Sequence, residues 1–72
     1  MEGRVHTAHD DVLRRWYSYV EGEREPFGFE YHKDRAIQIG QDTARYHQTE
    51  HLIHDESGEV EFIHSYRDDA TG

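Results

Sequence analysis

Apolar residues in the first third of the chain recur at spacings of three and four: Val5, Ala8, Val12, Trp16 and Val20, with Leu13 and Tyr17 beside the same stripe. That is the period of a helix with one face to bury, and it predicts an amphipathic helix at about residues 8–21. Thr7 can cap it, Asp10 and Asp11 sit near its positive end, and Gly22 can end it. Glu21 to Pro26 reads as a linker, because proline cannot extend a helix and biases the residue before it toward extended geometry.

Beyond Pro26 the period changes to two. Phe27, Phe29 and Tyr31 alternate with Gly28, Glu30 and His32, and Ile37 and Ile39 continue the alternation. This predicts strands at about 27–32 and 36–40. The segments His51–Asp55 and Glu59–Tyr66 are nearly mirror-symmetric about Gly58, which suits the left-handed position of a hairpin loop. They predict strands at about 44–54 and 60–67, with His54 opposite Val60, Leu52 opposite Phe62, Glu50 opposite His64 and Gln48 opposite Tyr66. A competing reading makes residues 43–56 a second helix, between Asp42 as cap and Gly58 as stop. The hairpin explains both flanks, so the expected fold is α+β: one N-terminal amphipathic helix packed on a four-stranded antiparallel β-meander. It would form a single small domain over residues 1–72, with a frayed tail at 68–72.

Composition changes this picture in two ways. The chain has 72 residues, no cysteine and only 33% hydrophobic residues, so disulfides and thiolate metal sites are excluded and the core is small. Nine aromatic residues restore enough burial for folding. The second change is charge. Sixteen acidic residues face eight basic ones, seven of them arginine, for a formal charge of −8. Such a surface repels phosphate and anionic lipid, which argues against direct nucleic-acid or membrane binding. Excess carboxylate with arginine in place of lysine is a halophile-like composition. No apolar run is long enough to span a bilayer and no signal-peptide pattern opens the chain, so a cytoplasmic or virion-associated location is expected.

Candidate chemistry is thin. Seven histidines invite a metal hypothesis, sharpest at His47, His51 and His54. On a helix these share one face and suit zinc or nickel. On a strand, His47 and His51 stand ~13 Å apart and His54 points to the opposite face. The metal reading therefore depends on the competing helix, and no cofactor is expected. His64 opposite Glu50 would form a pH-sensitive pair. Serines lie outside any nucleophile elbow, and neither a phosphate loop nor a cysteine nucleophile exists, so the chain reads as non-enzymatic.

The sheet face away from the predicted helix is the expected working surface. His47, His51, Ile53, Glu61 and Ile63 form its partner-binding centre, a small apolar patch with a polar rim. The expected function is that of a small acidic interaction protein. It would be an accessory or structural subunit of a larger, viral or haloarchaeal, assembly, bound to a protein partner or to copies of itself. Two alternatives are an acidic nucleic-acid mimic that inhibits a basic protein, and a histidine-based metal- or pH-responsive protein. Mimicry requires clustered carboxylates, whereas solvent adaptation scatters them.

Overall fold

A computed structural model describes residues 3–67, and the tail expected at 68–72 lies outside the described residues. The element order is β1 (Val5–Asp10), β2 (Arg15–Val20), β3 (Phe27–Glu30), α1 (Lys33–His47), β4 (Glu50–His54) and β5 (Val60–Ser65). The strands form one five-stranded sheet in the order β3-β2-β1-β4-β5. β1 and β4 are parallel, and every other neighbouring pair is antiparallel. α1 carries the chain from the β3 edge back across the sheet and packs over β1 to β4, stopping short of β5.

The expected N-terminal helix and four-stranded antiparallel meander are thus corrected: the helix lies mid-chain, and the sheet is mixed. The reason is visible in β2, where Trp16, Ser18 and Val20 point inward and are buried while Tyr17 and Tyr19 point outward. The inward set includes a serine, so strand alternation was hidden and the aromatic residues mimicked a helical stripe. Val12, assigned to that stripe, is 89% exposed at a turn. There the Asp10 carboxylate accepts hydrogen bonds from the Val12 and Leu13 amides at 2.9 and 3.1 Å, and Arg14 takes a positive φ of 55°. An aspartate that binds the backbone just ahead of it stabilises a turn rather than a helix start.

α1 replaces the strand expected at 36–40 and part of that expected at 44–54. Its buried line is Ala36, Gly40 and Ala44, one residue every four. Small residues at this spacing bring a helix backbone close to a sheet, at a propensity cost for glycine of about 1 kcal/mol. The helix ends at Gln48, which adopts the left-handed φ of 54°. The Gln48 amide donates to the Arg45 carbonyl and the Thr49 amide to the Ala44 carbonyl, at 3.2 and 3.0 Å, a Schellman pattern. Asp34 in the first turn and Arg45 and His47 in the last complement the helix dipole.

The β4–β5 hairpin forms as expected, with His54 opposite Val60 and Gly58 at φ +97°. Asp55 fastens the turn by accepting from the Ser57 amide, the Ser57 hydroxyl and the Glu59 amide. A bulge between Ile53 and His54 then shifts the remaining register by one, so that Leu52 faces Ile63 and Glu50 faces Ser65. A one-residue slip exchanges the two faces of a strand. The expected Leu52–Phe62 and Glu50–His64 pairs are therefore absent.

The core is small. Val5, Val20 and Ala44 form its centre, with Phe27 and Tyr66 packed against it. Helix and sheet meet most closely at Gly40, where a Cβ would fall 2.5 Å from Thr7 Oγ1 and 2.6 Å from His51 Nε2. Gly40→Ala should destabilise the protein by about 1–3 kcal/mol, although alanine is the better helix former. Gln48→Gly, by relieving left-handed strain, should stabilise it by about 0.5–1 kcal/mol. Urea unfolding of the two variants should thus shift midpoints in opposite directions.

Candidate interaction surface and histidine networks

Two histidine networks occupy opposite faces of the sheet. Beneath α1, the Thr7 hydroxyl lies 2.7 Å from His51 Nε2 and 2.9 Å from the Ser18 hydroxyl. Parallel pairing of β1 with β4 brings Thr7 beside Ile53 and Val5 beside His51, and the β1–β2 hairpin sets Ser18 opposite Thr7. His51 is only 1% exposed. Burial pushes its imidazole down to about 4, and the nearby His64 and His6 add to the effect. A hydroxyl beside a neutral imidazole is the raw material of a nucleophile, but these groups are sealed under the Gly40 backbone. They act as a satisfied polar layer within the core.

On the open face, His6 Nε2 lies 2.6 Å from the Glu21 carboxylate and His6 Nδ1 lies 2.8 Å from His54 Nε2. His54 Nδ1 is 3.0 Å from the Gly58 carbonyl. Carbonyl and carboxylate oxygens accept, so both outer bonds require ring N–H donors, and the central bond requires one more. The chain runs from the Gly58 carbonyl at one end to Glu21 at the other. The Glu21 carboxyl is lowered to about 2 by the hydrogen bond from His6, then by those from Arg4.

The same face carries a ladder of rings: Phe29, Tyr17, Tyr19, His6 and His54, with neighbouring centroids 4.7–6.0 Å apart. His6 and Tyr19 are nearly parallel at 5°. Arg15 lies over Phe29 and Tyr31, at 5.3 and 5.8 Å from their centroids. Three of these contacts are stacked pairs across strands, and Tyr17 and Tyr19 tilt against each other within β2.

β5 is different from every other strand. All six of its residues are exposed, including Val60 at 45%, Phe62 at 56% and Ile63 at 59%. Lys33, the lone lysine, reaches from the start of α1 over the Trp16 ring to pair with Glu61. The Tyr66 amide donates inward to the Thr49 carbonyl at 3.0 Å. In an antiparallel ladder the groups alternate, so the Ile63 and Ser65 backbones direct their donors and acceptors outward.

A shallow cleft of about 510 Å³ lies between the β1–β2 and β4–β5 turns, lined by His9, Asp11, Arg14 and Glu56. His9 Nδ1 is 2.9 Å from the Asp11 carboxylate. The lining mixes two acids, an arginine and an imidazole with no hydroxyl nucleophile. Elsewhere the acids occupy both ends of the molecule. Asp10, Asp11, Glu30, Asp34, Asp55, Glu56 and Glu59 lie toward one end, and Glu21, Glu23, Glu25 and Glu50 toward the other. Asp10, Asp34 and Asp55 are occupied in capping backbone amides.

The five residues expected to form a partner-binding centre are divided by this geometry. His51 and Ile53 are buried on the helix side, Glu61 and Ile63 are exposed on β5, and His47 closes α1 with its ring edge-on to Tyr46. His47, His51 and His54 occupy three separate environments. Among the described residues no group of three His, Asp or Glu side chains is placed to hold a metal ion. His64 stacks on Phe62 instead of meeting Glu50, which pairs with Arg4 and Arg67. The sequence reading missed His6 and Glu21, because Glu21 meets His6 across the β1–β2 hairpin, which was read as a helix, and His54 meets His6 across a parallel pairing that no local pattern marks.

Among the described residues, the fold and surface define a small α+β domain with one helix-covered sheet face, one open face and one bare edge. The chain belongs to a family of uncharacterized proteins conserved in bacteria (DUF2188), which it matches over residues 5–66. No curated protein and no solved structure matches the chain. Among the described residues no helix is long and apolar enough to cross a membrane.

The buried imidazole makes stability depend on pH. His51 is held neutral at about 4 in the folded chain, whereas its ordinary value is 6.5. The unfolded chain therefore binds the proton first. The contribution is complete above pH 6.5 and declines as pH falls toward 4. Over this window the loss is roughly 3 kcal/mol. Denaturation between pH 4.5 and 7.5 should show a steep loss in the wild type and a shallower one in His51→Gln. Glu21 contributes below this window, between its ordinary 4.5 and about 2.

Proposed function

We propose that the protein is a non-enzymatic interaction module, an accessory or structural subunit that joins a larger assembly by strand pairing at β5. The observation that carries this reading is the strand itself. It is ordered and paired on one side, yet all six residues are exposed and three of them are large and apolar. Natural sheets normally shorten, charge or cover such an edge, because its unpaired backbone groups recruit another strand. Strand addition supplies affinity through main-chain hydrogen bonds and specificity through alternate side chains.

Two features support the non-enzymatic part of the reading. The hydroxyl–imidazole set lies beneath α1, and the cleft at the turns offers no hydroxyl nucleophile. Acids at both ends, several of them committed to turns, fit a solvated surface better than a phosphate-mimicking patch. Of the residues first expected at a partner site, Glu61 and Ile63 belong to the proposed strand, and Phe62 joins them.

The test is capture of the tagged protein's partners from host extract, with Ile63→Lys beside the wild type. Ile63 is 59% exposed, so a lysine should leave the circular dichroism spectrum and unfolding midpoint nearly unchanged. Partners should be retained by the wild type and lost by the variant. Equal retention by both proteins would rule out β5 as the docking strand.

A further inference from the structure

We infer that the strand received by β5 is the β5 of a second copy of this chain, paired antiparallel across a two-fold axis normal to the sheet. This rests on the reading of β5 as the docking strand and goes further by naming its occupant. The argument begins with the two sheet edges, which are unlike. β3 has four residues, an irregular register against β2, and α1 packed against it. β5 has six exposed residues and, among the described residues, no helix over it. Pairing β5 with the β3 edge of another copy would be head-to-tail and would leave a fresh β5 exposed at each step, so it propagates. Pairing β5 with β5 consumes both open edges in one event and closes.

The register follows from the backbone. Outward donors and acceptors lie at Ile63 and Ser65, because the Tyr66 amide is directed inward to Thr49. A two-fold axis normal to the sheet keeps both helices on one side and pairs only residues of like facing. Centred on Ile63, it sets Ile63 against its counterpart as a hydrogen-bonded pair and Phe62 against His64 of the second copy. The bulge opposite His54 ends the regular seam near Glu61, which falls opposite Ser65 of the second copy. Beyond it, Arg67 of each copy comes within about a residue of Glu59 of the other, a charge-complementary closure at both ends. No like charges oppose each other along the seam. Centring the axis on His64 instead would face two imidazoles.

The seam is short, which places the dimer at the weak end of specific interfaces. Each copy also carries a formal charge of −8, so the two repel at long range. Association should therefore strengthen when salt rises from about 50 mM to about 500 mM and the screening length contracts. A basic heterologous partner on the same strand would show the opposite salt dependence.

Two measurements test the inference. Sedimentation equilibrium of the full chain should fit a monomer–dimer scheme, with tighter association at high salt and loss of the dimer in Ile63→Lys. Because the chain has no cysteine, Ile63→Cys gives a clean cross-link. A hydrogen-bonded antiparallel pair holds its Cα atoms ~5.5 Å apart, within disulfide range. Mild oxidation should cross-link Ile63→Cys at least tenfold faster than Val12→Cys, whose side chain is more exposed but lies at the far hairpin tip. Equal rates together with a monomer at every salt concentration would overturn the dimer. So would assemblies larger than two, or a dimer that survives Ile63→Lys. A monomer whose captured partner is still lost in Ile63→Lys would sink the second copy alone, leaving β5 as a docking strand for a different protein.

Discussion

Gly40 rests on the side chains of Thr7 and His51, and much of the architecture is arranged around that contact. A Cβ at this position would lie within 2.6 Å of both groups. The helix approaches the sheet this closely because Ala36, Gly40 and Ala44 form its inner line. In a chain with 33% hydrophobic residues, close approach substitutes for bulk: short side chains leave no gap, and dispersion contacts are kept despite the small volume. The polar atoms under the glycine are then compelled to satisfy one another. Thr7 bridges Ser18 and His51, so the layer joins β1, β2 and β4 through side chains as well as backbone. No buried side-chain donor or acceptor among the described residues lacks a partner.

This constraint also explains which parts of the fold were legible in the sequence. The β4–β5 hairpin was readable because its two arms and Gly58 are local, and turn chemistry carried the signal. Its register slipped by one because the bulge leaves no mark in the residue pattern. β1 and β2 were misread because their buried faces hold Thr7 and Ser18, polar residues that become core only once His51 arrives from β4. The helix was missed for the converse reason. Its buried line is alanine and glycine, while Ile37 and Ile39 suggested strand alternation. For β1, β2 and α1 the residues that hid the true element, Thr7, Ser18 and Gly40, meet in one layer, where a non-local partner decides what a polar or small residue is doing.

The candidate site was legible only in part. Glu61 and Ile63 fall on β5, as an exposed docking patch requires, but His51 and Ile53 lie on the buried face of β4. Clustered histidines in the sequence suggested one site and the fold separates them into two roles. His51 is neutral packing beneath α1. His6 and His54 instead span the open face from Glu21, beside the end of β2, to Gly58 in the β4–β5 turn. That chain couples the position of the β4–β5 hairpin to the opposite end of β2 through three polar contacts. It helps to order the hairpin from which β5 extends, although α1 offers that strand no cover.

The asymmetry between the two sheet edges is therefore a consequence of where the small residues fall. Close packing of α1 covers β1 to β4 and includes the β3 edge, but it leaves β5 to be held by β4, the turn fastened by Asp55, and Lys33 reaching to Glu61. Such a strand could have been made unattractive with a lysine or proline facing outward, as edges often are. Instead its outward-directed backbone lies at Ile63 and Ser65, on either side of His64. The surrounding surface has the opposite character: an excess of carboxylates that repels anionic macromolecules and discourages indiscriminate association. Long-range repulsion with a local adhesive edge is a combination that favours few partners, because only a closely matched strand gains enough at contact to offset the field. If β5 is the docking strand we propose, the acidity and that edge are two halves of one specificity device: charge rejects the many encounters, and β5 retains the one that fits.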